Sequence, residues 1–186
     1  MLRDREFLAH LHAFFAGRAI ETERLSKGRI VREVPGFEVL VVTPSAPSDA
    51  WCYVSNGARD ISIHGDRQEY CLLAQSDDEA HREILAMVAS YHASARYGGV
   101  HLGRVLDIGQ PWTRGATCDH LLVSLPYPFG PRFEHVPSEP PVRVLWLLPI
   151  TKREAELARD DGVEALEQLF ERLAIDTLDP RRRSAV

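Results

Sequence analysis

Cys118-Asp119-His120 places a thiol and an imidazole two residues apart, the residue types that a cysteine nucleophile and its general base would need. On a strand the two side chains project to the same face. They also diverge outward at about 6 to 7 Å, so a thiolate–imidazolium hydrogen bond would require unusual local geometry. The simpler reading is a buried Cys118 beside a surface His120. A small thiol-dependent hydrolase would have to pair Cys118 with a histidine from elsewhere in the chain.

Metal chemistry has equally little to build on. Of the eight histidines, His10 and His12 are two apart on a helix and point to different sides, whereas His81 and His92 share a face. Eleven residues at 1.5 Å rise is roughly 16 Å, too far for one ion. A site would need His64, His101 or His135 to converge from loops. Gly98, Gly99 and Gly103 follow a helix instead of preceding one, so they mark a helix stop and a tight turn, not a phosphate cradle. No Walker loop, nucleophile elbow, zincin helix or EF-hand loop is present, and no catalytic residue, metal or cofactor is assigned.

Large aromatics in loops offer a different chemistry. Trp112, Tyr127 and Phe129 sit among prolines and glycines, where such side chains either tuck beneath the loop or serve as partner-binding anchors. Arg181, Arg182 and Arg183 are too few to define a nucleic-acid site and read as a solvated, frayed tail. A net charge of −5 disfavours nucleic acid and anionic lipid and suits a basic protein partner. No apolar run reaches the roughly 18 to 20 residues of a membrane span, and residues 1–6 make a poor signal peptide. The expected location is cytoplasmic, with Cys52, Cys71 and Cys118 as buried, reduced thiols.

The elements that position these residues fit one domain, with a composition 45% apolar and 26% charged and no internal repeat. An N-terminal helix is expected over residues 3–16, carrying Phe7, Leu8, Leu11, Phe14 and Phe15 on one stripe and stopped by Gly17. Strands are expected at 36–43, 51–55, 69–74, 105–108, 121–125 and 142–148. Asn56-Gly57 marks a turn, and Ser76 with Glu79 reads as a capping box opening a long helix through Tyr91. Six prolines between Pro126 and Pro141 forbid regular structure and predict a long surface loop. Thr151 with Glu154 caps another helix, and Asp160-Asp161-Gly162 separates it from a last one. The order implies an α+β fold, a mixed and mostly antiparallel β-sheet flanked by helices.

A series of spaced landmarks resembles the short bacterial form of the Suppressor-of-fused-like domain family. They are Trp51 with the run Tyr53 to Ala58, Glu69, Tyr91, Leu102-Gly103 and Trp112. The series continues through Leu145 to Thr151 into Glu154 and Leu157, then Gly162, Leu166, Asp179-Pro180-Arg181 and Ser184. It covers residues 30–186, nearly the whole chain. The resemblance implies a domain without a catalytic centre, similar in bacteria to immunity partners of polymorphic toxins. It also implies a partner-binding face near Tyr91 and the turn after it, where Arg104 departs from the acidic residue that would match the animal protein. The expected function is protein binding, of an immunity type that neutralises a toxin with a basic surface through Tyr91, Arg104, Trp112, Tyr127 and Phe129. The alternative is a regulatory or scaffold domain that recruits its partner through the Pro126–Pro141 loop.

Overall fold

In the computed structural model, residues 2–61, 67–94 and 99–186 are described; His64 and Gly98, named above, lie outside them. The sheet is built from β1 (Ile20–Arg24), β2 (Glu38–Val42), β3 (Trp51–Asn56), β4 (Gln68–Ala74), β5 (Val105–Asp107), β6 (His120–Ser124), β7 (His135–Val136) and β8 (Val142–Ile150). Its order is β1-β2-β3-β4-β8-β6-β5, with β7 pairing β8 separately. All pairs are antiparallel except β4 with β8. That parallel pair needs a crossover, and α3 (Glu79–Ala93) lies within it. The fold is thus α+β with a mixed, mostly antiparallel sheet, as the element order implies.

Both sheet faces are apolar, and strand alternation sorts residues between them. Val39, Val41, Tyr53, Leu72, Leu145 and Leu147 face α3. Leu40, Val42, Cys52, Val54, Trp146 and Leu148 face the opposite layer. That layer contains α1 (Leu2–Phe14), α4 (Pro131–Glu134), α5 (Lys152–Asp160) and α6 (Val163–Leu173). Burial on both sides explains why β2 and β8 read as nearly continuous apolar runs. Gly57, at φ +126°, turns the chain out of β3 into the 3-10 turn Ala58–Asp60; an added Cβ would also lie 3.4 Å from the Phe37 Cα.

Several expectations need correction. The residue capping α3 is Asp78, whose carboxylate accepts from the Ala80 N–H; Ser76 instead offers its carbonyl to His81. The Pro126–Pro141 segment is not a free loop, since it contains α4 and β7. Pro131 occupies the first turn of α4, where its missing N–H costs no helical bond, and Phe133 and Val136 anchor the segment in the core. The C-terminal tail is not frayed. Arg182 is 7% exposed and donates both terminal nitrogens to Glu154, at 2.6 and 2.7 Å, with a further bond of 3.1 Å to the Pro149 carbonyl. Pro149 is tolerated in β8 because it lies beyond the last β4 pair, Cys71 with Trp146, where the tail takes its carbonyl. Glu154 simultaneously completes the anticipated capping box with Thr151.

Besides α4 and β7, the elements β1 and α2 also escape the sequence reading. β1 is an edge strand whose Glu21 and Thr22 are exposed, and α2 (Ile30–Glu33) is a single turn. Together they frame the site described next.

Candidate functional site

The outer side of α3 and the connection from β1 to α2 enclose a groove of ≈ 960 Å³. Its apolar lining comes from Leu25 and Ile30 on one side and Ala86, Met87 and Tyr91 on the other. A second depression of ≈ 300 Å³ shares Arg24, Leu25 and Ile30 with it and continues past Val31 to Phe37. Most of this apolar surface is anchored: Ile30 and Ala86 are buried, and Leu25 and Tyr91 pack against the core. Met87 and Val31 are the exceptions, 38% and 43% exposed.

Both ends of the groove are fixed by arginines from opposite directions. At one end Arg82 of α3 reaches β1, meeting the two Glu23 carboxylate oxygens at 2.6 and 2.8 Å, and donates to Asp77 at 2.6 Å. Its guanidinium also lies 5.2 Å from the Tyr53 ring centroid, and the Tyr53 hydroxyl donates to Asp77 at 2.7 Å. Arg82, with the Tyr53 hydroxyl, holds the Asp77 carboxyl below its ordinary pKa. At the other end Arg104 donates to the Tyr91 hydroxyl at 3.1 Å and to the Gly99 carbonyl at 2.6 Å, and stacks over the Tyr91 ring at 5.2 Å. Tyr91 and Arg104, both singled out in the sequence, therefore form one cluster.

Trp112 takes a different position. It is 1% exposed and donates its indole N–H to His81 Nδ1 at 3.2 Å, buttressing α3 from within. His81 Nε2 faces the Ser76 carbonyl at 3.2 Å, so the neutral Nε2–H tautomer satisfies both neighbours. Tyr127 and Phe129 lie on the opposite layer, away from the groove. Phe129 packs on Phe14, Phe15 and Phe133 at 4.8 to 5.7 Å between centroids, whereas Tyr127 is 58% exposed with its hydroxyl 3.1 Å from Glu167. The five sequence candidates thus do not make one patch.

Cys118 precedes β6 instead of sharing a strand with His120, and it is buried. Burial pushes its thiol pKa up to about 11, so it is protonated at neutral pH. His120 is buried too, contrary to the surface position expected, and its Nδ1 meets Asp119 at 2.8 Å. Among the described residues no three His, Cys, Asp or Glu side chains converge as metal ligands, and no helix is long and apolar enough to cross a membrane.

As groove residues, Leu25, Lys27, Ile30, Glu83 and Met87 were missed in the sequence, and Glu79 was read only as part of a helix cap. The one legible signal was on α3, where Glu79, Glu83, Met87 and Tyr91 recur every four residues along one stripe and an exposed methionine interrupts the polar positions.

A sequence model of the Suppressor of fused protein (SUFU) family matches residues 33–183. The chain belongs to the Suppressor of fused family. A SUFU homolog from Neisseria gonorrhoeae is 35% identical, with 100% of this chain and 98% of that one covered and a TM-score of 0.89. A chain of the Sufu–Fu complex is 14% identical, with 98% and 92% covered and a TM-score of 0.68. Drosophila Suppressor of Fused is also 14% identical at a TM-score of 0.67; 96% of this chain aligns, spanning 50% of that protein. The last two likenesses are of SUFU fold alone. Among curated proteins no match is found.

Proposed function

We propose that this SUFU-family chain is a non-catalytic protein-binding domain whose partner docks in the groove between α3 and the β1–α2 connection. The observation that carries the reading is Met87, an exposed apolar side chain in a groove whose two ends are pinned by Arg82 and Arg104. A pre-formed frame around an uncovered apolar residue suits a partner's anchor side chain, because little ordering cost remains at binding. The Sufu–Fu complex is a family precedent for association with another protein. The buried, protonated Cys118 gives a thiol-hydrolase reading no nucleophile.

The finer reading is of an immunity-type protein that neutralises a toxin with a basic surface by direct binding. Its support is the resemblance to short bacterial members and the net charge of −5, which favours fast association with a cationic partner. Tagged wild-type chain and the Met87→Arg variant, purified from the native host, test both levels. A stoichiometric partner held by wild type and lost from the variant supports docking in the groove; suppression of that partner's toxicity supports the immunity reading. A partner retained by both overturns the groove assignment.

A further inference from the structure

Apart from Arg82 of α3 and Glu23 of β1, which pair with each other, the charges that line the groove are sorted by wall. The α3 wall carries Glu79 and Glu83, both exposed and one turn apart, leading to Met87 one turn further on. The facing wall carries Arg24, Lys27 and Arg29. Arg24 and Arg29 are paired with Glu38 and Glu33, each at 2.8 Å, but the arginine side chains are 83% and 70% exposed against 16% and 27% for their carboxylates. The guanidiniums therefore stand toward solvent at the rim, with the acids set further in. Asp77 adds little to the acidic wall, being engaged by Arg82 and Tyr53.

The groove offers a partner side chains instead of a strand edge. β1 contributes only its last two residues, Glu23 and Arg24, to the lining. An extended peptide laid there would leave backbone N–H and C=O groups without a ladder to join, whereas a helix arrives with its backbone bonds already made. From Glu79 to Tyr91 α3 runs about 18 Å, matching a segment of three to four helical turns.

We infer that the groove receives an amphipathic helix whose apolar stripe meets Met87, Ala86, Leu25 and Ile30, with basic residues on the flank facing Glu79 and Glu83 and acidic residues on the other. This rests on the reading of the groove as a protein-docking surface and specifies its occupant. Turning such a helix end for end exchanges its flanks, so a peptide with the two charges swapped binds in the reverse direction. The discriminating controls are peptides with the same charge on both flanks, since each meets one wall of like charge.

A displayed library of 14-residue helical peptides, with a fixed leucine stripe and flanks randomised among Lys, Glu and Gln, is selected on the full chain and counter-selected on Met87→Arg. The expected winners are basic on one flank and acidic on the other. They should bind at least tenfold more weakly to the double variant Glu79→Lys with Glu83→Lys, and reselection on that variant should give peptides acidic on both flanks. Winners with uniformly charged or uncharged flanks, or no winner whose binding depends on Met87, overturn the inference. The docking reading is judged separately, by whether a co-purified native partner is lost on Met87→Arg. Circular dichroism melts of the variants establish that each is folded.

Discussion

The indole N–H of Trp112 reaches across 31 residues of sequence to His81 Nδ1; both rings are buried, and His81, on α3, packs between Trp112 and Tyr53 at 5.6 and 4.8 Å between centroids. This hydrogen bond ties the loop between β5 and β6 to the helix that forms one wall of the groove. It requires an unprotonated Nδ1, because an imidazolium would present an N–H to the indole N–H.

The His81–Trp112 contact makes stability depend on pH. Burial lowers the His81 pKa from its ordinary value near 6.5, outweighing the opposing pull of the Ser76 carbonyl and nearby acids. The unfolded chain then binds more protons than the folded one between that lowered value and 6.5. Stability contributed by neutral His81 is complete above 6.5 and lost as pH falls through this window. Thermal melts from pH 7.5 to 5 should show a declining midpoint for wild type. His81→Phe should be less stable at pH 7.5 by about 1 to 3 kcal/mol, the cost of the orphaned indole donor, and so melt lower with a shallower pH dependence.

Arg182 clamps the C-terminal tail by a buried pair. Burial alone would raise the Glu154 carboxyl, but Arg182 and the N–H groups of Ala185 and Thr151 together hold it below its ordinary pKa. The stability it contributes is present above the ordinary carboxylate value and lost as pH falls through the lowered one. Arg182→Met should cost about 3 to 5 kcal/mol in urea unfolding, because Glu154 is left buried without its cation. Changing Glu154→Leu in the same chain should recover part of that loss; no recovery would mean that the tail, not the charge, carries the effect.

Cys118 should behave as a core thiol. Iodoacetamide at pH 7.5 should alkylate it more slowly in the folded chain than in urea, and Cys118→Ala should leave partner capture unchanged. Folded-state alkylation faster than in urea would restore a nucleophile to consider.

The sheet was legible where both faces are buried, because β2, β4 and β8 are apolar enough to read without knowing their neighbours. The capping box at Thr151 and the break at Gly162 are local signals and survived unchanged. β1 was not legible because an edge strand of Ile-Glu-Thr-Glu-Arg lacks the apolar repeat that burial imposes, and α2 is too short to show a helical period. Prolines misled between Pro126 and Pro141: Pro131 at a helix start obeys backbone rules that a count of prolines ignores. For the site, Tyr91 and Arg104 were found through a family landmark. The groove between them and Arg82 joins segments some 50 residues apart, and no window of sequence contains it.

The central claim is that a partner's apolar anchor docks on Met87. The most direct measurement is the amount of native partner co-purifying with Met87→Arg, compared with wild type and with Tyr127→Ala on the opposite layer, at matched thermal stability. The expected result is loss of the partner from Met87→Arg, at least tenfold, and full retention by Tyr127→Ala. Retention by Met87→Arg, or loss from Tyr127→Ala alone, would contradict the account and move recognition to the other face.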